Sequence, residues 1–128
     1  MLNGTKEWVD FAERDYEASM LLANSHTPSF EIIAYHCQQA AEKYLKAMLI
    51  ENNKPVPHIH DLGKLNLECS NFQAELSVIQ DICERLTPFG TVTRYPGSSM
   101  QVGSEHLPLI ISWTEEIRKI IRNQLGIS

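Results

Sequence analysis

The chain has 128 residues, one domain's worth, and 43% of them are hydrophobic against 21% charged, which excludes intrinsic disorder and collagen-like or mucin-like repeats. Eleven Lys and Arg against sixteen Asp and Glu give a net charge of −5. That sign is wrong for a generic nucleic-acid binder, because a phosphate backbone demands a positive surface; only a local basic patch stays open.

The three cysteines are Cys37, Cys69 and Cys83. An odd number without a CxxC pair argues against a disulfide framework and against a cysteine zinc site. Each sits in an apolar pattern, so buried free thiols in a reducing compartment are expected. The first residues are charged throughout and lack a signal peptide's apolar core. No apolar run reaches the ~18 residues of a membrane span. A soluble cytoplasmic protein is the expectation.

Helical spacing recurs along the chain and strand alternation does not. The first predicted helix covers about residues 5–24, with Thr5 as N-cap and Trp8, Phe11, Ala12, Asp15, Ala18, Ser19 and Leu22 at helical spacing. Thr27-Pro28 closes it, because a residue before proline is pushed out of the helical region. The second helix covers about 29–53 and carries no Gly or Pro. Ile33, Cys37, Ala40, Ala41, Tyr44, Ala47 and Met48 share one face. Glu31, Tyr35, Gln38, Gln39, Glu42 and Lys46 lie opposite, with His36 and Lys43 on the border.

A loop with Pro55 and Pro57 follows, and Asp61 caps a short helix over about 61–69. A further helix is predicted over about 72–88, striped by Leu76, Ile79, Ile82, Cys83 and Leu86. The stretch from Thr87 to Gly103 is irregular, and loops of that length are often functional. The last helix covers about 104–124, with Ile110, Trp113, Thr114, Ile117, Ile120 and Ile121 as its apolar face and Gly126 as its stop. The predicted class is all-α, a single domain over 1–128: an antiparallel up-and-down bundle of four long helices plus one short helix.

Three constellations can carry chemistry. His58-Ile59-His60-Asp61 offers metal-ligand types, but the same residues read equally as a helix N-cap with a histidine packed over the helix start. The polar face of the second helix, with Gln39, Glu42, Lys43 and Lys46, reads as a solvated ion-paired surface or as a row that holds a phosphate or a base. Thr93-Arg94-Tyr95-Pro96-Gly97 reads as a turn, or as an arginine fork beside an aromatic ring. GxSxG, P-loop and GxGxxG motifs are all missing.

Joined in chain order, these pieces resemble the HEPN domain. They are Trp8 with Ala12, Asp15, Ala18 and Leu22; the block from His36 to Ala47, HCQQAAEKYLKA; His60-Asp61-Leu62 with Leu65; and Arg94-Tyr95-Pro96. The resemblance implies a compact bundle similar to the C-terminal, substrate-binding domain of aminoglycoside nucleotidyltransferases, commonly dimeric. It also implies a role in binding nucleotides, often beside a minimal nucleotidyltransferase as a toxin–antitoxin pair or a split enzyme. HEPN proteins that cleave RNA carry Arg, four to six residues, then His. No arginine here has a histidine in that window; Arg94 is followed by Tyr95, and the next histidine is His106.

What the resemblance implies is therefore a non-catalytic nucleotide- or substrate-binding subunit. It is homodimeric, partners a minimal nucleotidyltransferase and needs no cofactor or metal. Lys43, Lys46 and Arg94 would meet phosphates, Gln39 and His60 would orient them, and Tyr95 would stack. The alternative is a divergent ribonuclease toxin that uses His36, His60 or His106 with Arg94. The loop carrying Arg94 and Tyr95 is expected to fold over the second helix, with His60-Asp61 closing one end. Asp15 and Glu42 are the carboxylates available to neutralise the lysines. If they do so fully, the cluster reads as a structural ion network.

Overall fold

The computed structural model describes residues 1–90 and 101–127. Five α-helices form the framework: α1 (Asn3–Ala23), α2 (Phe30–Glu51), α3 (Leu62–Ser70), α4 (Gln80–Leu86) and α5 (Leu107–Gln124). Three 3-10 segments adjoin them, Ala74–Ile79, Thr87–Phe89 and Ser104–His106, and no strand occurs among the described residues.

Side-chain bonds give the helix directions. Thr5 Oγ1 donates to Glu51 Oε1 at 2.8 Å and His36 Nδ1 meets Asp15 Oδ1 at 2.8 Å, so α1 and α2 run antiparallel. The loop after α2 then travels back along it. The Gln38 amide donates to the His60 carbonyl at 2.9 Å, and the Cys69 thiol reaches the Leu45 carbonyl at 3.5 Å, so α3 runs the same way as α2. Asn66 bonds the Leu76 carbonyl and Gln80 bonds the Gly63 carbonyl, each at 2.9 Å, which sets α4 against α3. Arg122 Nη1 donates to the Tyr44 hydroxyl at 3.3 Å, and the Cys37 thiol lies against Ser19 and Thr114. The last helix, α5, is therefore parallel to α2 and antiparallel to α1.

The core forms where these helices meet. Its largest fully buried side chains include Ile33, Tyr44, Leu45 and Leu49 of α2, Leu62 and Leu65 of α3, Leu76 and Leu86, and Ile110, Ile117 and Ile121 of α5. Burying such an aliphatic side chain is worth roughly 1.5–3 kcal/mol. Alanines at 34, 40, 41 and 47 are buried too, and these small side chains let neighbours approach α2 on several sides.

Three expectations are corrected. Thr5 does not cap α1: the helix begins at Asn3, and Thr5 is buried inside it, bonded to Glu51. Glu51 supplies the missing cap from the far end of α2, accepting from the Leu2 N–H at 2.9 Å. The helix predicted over 72–88 is interrupted, so three helices are long rather than four. The Leu76 carbonyl accepts from the Asn66 amide, while the Gln80 N–H turns to the Ser77 carbonyl. A 3-10 turn therefore stands where the first turns of an α-helix were expected. The third correction concerns α2, whose polar face is not solvated: Gln38, Glu42 and Lys46 are buried.

Asp61 does cap α3, its carboxylate accepting from the Lys64 N–H at 3.0 Å. Gly126 closes α5 at φ 76°, a conformation that favours glycine. No helix among the described residues is long and apolar enough to cross a membrane.

Candidate functional site

The polar side of α2 packs against α1 on one flank and against the segment entering α3 on the other. Its charges are sorted into two triads. In the first, Asp15 of α1 accepts from Lys43 Nζ through Oδ2 and faces His36 Nδ1 through Oδ1. The second is centred on Glu42, which holds Lys46 Nζ at 3.0 Å and His60 Nδ1 at 2.9 Å on its two oxygens. Each triad thus joins one carboxylate, one lysine and one histidine.

Burial separates the two. The Lys46 and Glu42 side chains are 7% and 5% exposed, whereas His60 is 63% exposed above them. Removing two ions from water costs several kcal/mol each, so such a pair persists only with good geometry and further hydrogen bonds. His60 and Gln38 supply them; the Gln38 amide lies 3.5 Å from Glu42 Oε1. Lys46 Nζ also sits 5.8 Å from the centre of the Trp8 ring. Around the first triad, Lys43 Nζ and Arg14 approach the Phe11 ring at 5.9 and 4.7 Å, and the Tyr35 ring meets His36 edge-on at 5.4 Å.

Gly90 ties the site to the chain that follows. A β-carbon there would lie 2.9 Å from Gln38 Cδ, so a larger residue would push into the buried amide. The segment after Gly90 thus departs from beside Gln38, and beyond it Val102 is buried in the core.

Of the predicted site residues, Gln39, Lys43, Lys46 and His60 come together along this strip. Gln39 donates to Gln38 Oε1 at 3.2 Å, between the triads. Arg94 and Tyr95 lie outside the described residues. Both lysines are matched by carboxylates, Lys43 by Asp15 and Lys46 by Glu42, so among the described residues the cluster has the form of the structural ion network, the outcome that weakens a phosphate-binding reading. His58 and His60 do not converge with Asp61, which is taken up by its cap. His106 Nδ1 accepts from the Gly103 N–H at 2.9 Å, ahead of α5.

Sequence reasoning missed Gln38 as the amide that fixes His60. The signal for Asp15 was present: a carboxylate inside the small, apolar stripe of α1. A second network was not foreseen. Glu13 accepts from Arg118 and Arg122 of α5 and from the Tyr44 hydroxyl. Hydrogen bonding to Glu13 raises the Arg118 pKa above its ordinary value, and burial first, then Glu115, raises that of Tyr16.

A family model described as the HEPN domain matches residues 5–124, nearly the whole chain. The chain belongs to the HEPN family. No curated protein and no solved structure matches it. In this HEPN chain the block that carried the resemblance, residues 36–47, is the very stretch of α2 that builds both triads.

Proposed function

We propose that this HEPN chain is a non-catalytic nucleotide- or substrate-binding subunit, with the ligand over the α2 strip. The observation that carries the reading is a family match over residues 5–124 in a chain with no Arg-x(4–6)-His pair. Without that pair the chain lacks the general base of the RNA-cleaving members and their stabiliser of developing phosphorane charge. In this reading Gln39, Lys43, Lys46 and His60 would lie beneath the ligand, with both lysines shared with the carboxylates of Asp15 and Glu42, and Arg94 and Tyr95 follow Gly90 in the chain. Isothermal titration with ATP, GTP and deoxynucleoside triphosphates tests the reading. No heat of binding at millimolar ligand would remove it.

The proposed partners are a second copy of the chain and a minimal nucleotidyltransferase. The support for the first is the family resemblance; the terminal helices α1 and α5 carry exposed apolar side chains, Leu21 and Leu109 among them, at 75% and 57%. Light scattering at micromolar concentration reports the mass. A small nucleotidyltransferase encoded next door would support the second partnership.

One geometric feature favours a second reading, a divergent RNA-cleaving toxin. The buried Glu42 holds His60 by Nδ1 and leaves its other nitrogen toward solvent, the arrangement of an oriented general base. Incubation with tRNA, compared with His60→Ala and Arg94→Ala, decides. Intact tRNA in the presence of folded wild type excludes this reading.

A further inference from the structure

We infer that the groove between α5 and the 3-10 segment Ala74–Ile79 is a docking site for a protein partner, and that it takes a short acidic segment bearing aliphatic side chains. The groove shares no lining residue with the α2 strip, so the inference is independent of the nucleotide reading.

Two irregularities of the fold build the groove. The 3-10 turn that stands in place of the start of an α-helix lays Val78 and Ile79 along one side, opposite Ile120 of α5. At the far end Gly126 turns the chain at φ 76°, and the Ile127 N–H donates to the Arg122 carbonyl at 2.8 Å, which folds Ile127 back to line the groove. The Gln73 amide bonds the Gln124 side chain and holds the two walls together. The space between them measures about 610 Å³. Val78 stands at its edge 74% exposed, an aliphatic side chain that folding alone leaves in water.

Charge selects the occupant. Arg118 and Arg122 line the groove and share one carboxylate, Glu13, so one positive charge is left over from those three side chains. Lys119 is exposed in the same lining and makes no ion pair among the described residues. Glu116 is the one acid among the described lining residues, and Asn123 adds an amide that both donates and accepts. The excess is one positive charge, in a chain whose net charge is −5.

Other occupants fit this wall less well. Nucleic acid would meet aliphatic side chains and no ring to stack on, and an excess of one charge is small for a polyanion. An anionic membrane repels the acidic remainder of the chain. A second copy paired about a two-fold axis sets the same cations against each other. A small molecule needs walls that bury most of its surface, and Val78 and Lys119 leave this groove open. A peptide laid along it covers the aliphatic wall and brings its carboxylates to Lys119 and the two arginines.

The test uses the full-length chain and a random-peptide phage library, with the enriched peptides then synthesised carrying a fluorescent label. The expected peptides set aliphatic residues beside Asp or Glu. Their affinity should fall about tenfold between about 0.05 and 0.5 M salt, and about tenfold when Gln and Asn replace their acids. In NMR they should shift the methyl resonances of Val78, Ile79, Ile120 and Ile127. Lys119→Glu and Val78→Asp lie at exposed positions, where folding is not at stake, and each should weaken binding about tenfold. The inference is overturned by a library that yields no enriched peptide, by peptides without acids, or by binding that both substitutions leave unchanged. Methyl shifts that follow protein concentration with no peptide present would seat a second copy in the groove, and would overturn it too.

Discussion

The Glu13 carboxylate on α1 accepts two hydrogen bonds from the Arg118 guanidinium on α5, Nε at 2.7 Å and Nη2 at 3.0 Å. This fork ties the first helix to the last; Arg118 lies over the Tyr16 ring at 4.4 Å, and the Tyr44 hydroxyl also donates to Glu13. Lysine supplies the charge but not the planar pair of donors. Arg118→Lys should lower stability by about 1 kcal/mol, and Glu13→Ala by about 1–2 kcal/mol once partial solvent exposure is allowed for. Urea unfolding monitored by circular dichroism measures both. Equal stability of wild type and Glu13→Ala would show the bridge to be ornamental.

Lys46 and Lys43 should behave differently on truncation. Lys46→Met leaves Glu42 buried with only His60 and Gln38, at a cost of about 3–5 kcal/mol. The same logic predicts that Glu42→Met combined with Lys46→Met regains much of the loss, because no buried charge is left unmatched. Lys43→Ala, at a site with side chains partly in water, should cost about 1 kcal/mol or less. Denaturant midpoints of the three variants check the order.

All three thiols are fully buried. Burial pushes Cys69 and Cys83 up to about 12 and raises Cys37 as well. Ellman's reagent at pH 8 should therefore label the native protein slowly and titrate three thiols per chain in urea. Rapid native labelling of even one would show that a core helix opens readily.

Glu51 gives the pH dependence a definite sign. The Leu2 N–H and then the Thr5 hydroxyl hold its carboxyl below the ordinary value of 4.5. A carboxyl lowered in the folded state adds stability above its unfolded pKa and loses it as pH falls through the folded value. Glu51→Ala should thus cost about 1 kcal/mol at pH 7, as loss of a helix cap does, and the difference from wild type should shrink below about pH 4. Thermal melts at pH 7 and pH 3 measure it.

The apolar stripes made most helices legible in the sequence, since Ile110, Thr114, Ile117 and Ile121 repeat at helical spacing and are all buried. The break before α4 was not legible. Its cause is Asn66, a residue of another helix reaching the Leu76 carbonyl, and no local pattern encodes that. The buried polar side of α2 was hidden for a similar reason. Glu42 and Lys46, four apart, look like a surface pair; Trp8 of α1 on Lys46 and the return of the loop to His60 on Glu42 cover them. Likewise Thr5 looks like an N-cap, and the acceptor that takes it inside lies 46 positions away.

The seat of Gly90 on Gln38 has a consequence for how this protein tolerates change. One buried amide fixes the His60 carbonyl on one side and receives Gly90 on the other, and Val102 anchors the chain on its return. Both roots of the Arg94-bearing segment thus belong to the bundle. A substitution at either root is therefore felt inside the bundle, at the Gln38 amide for Gly90 and among the buried aliphatic side chains for Val102.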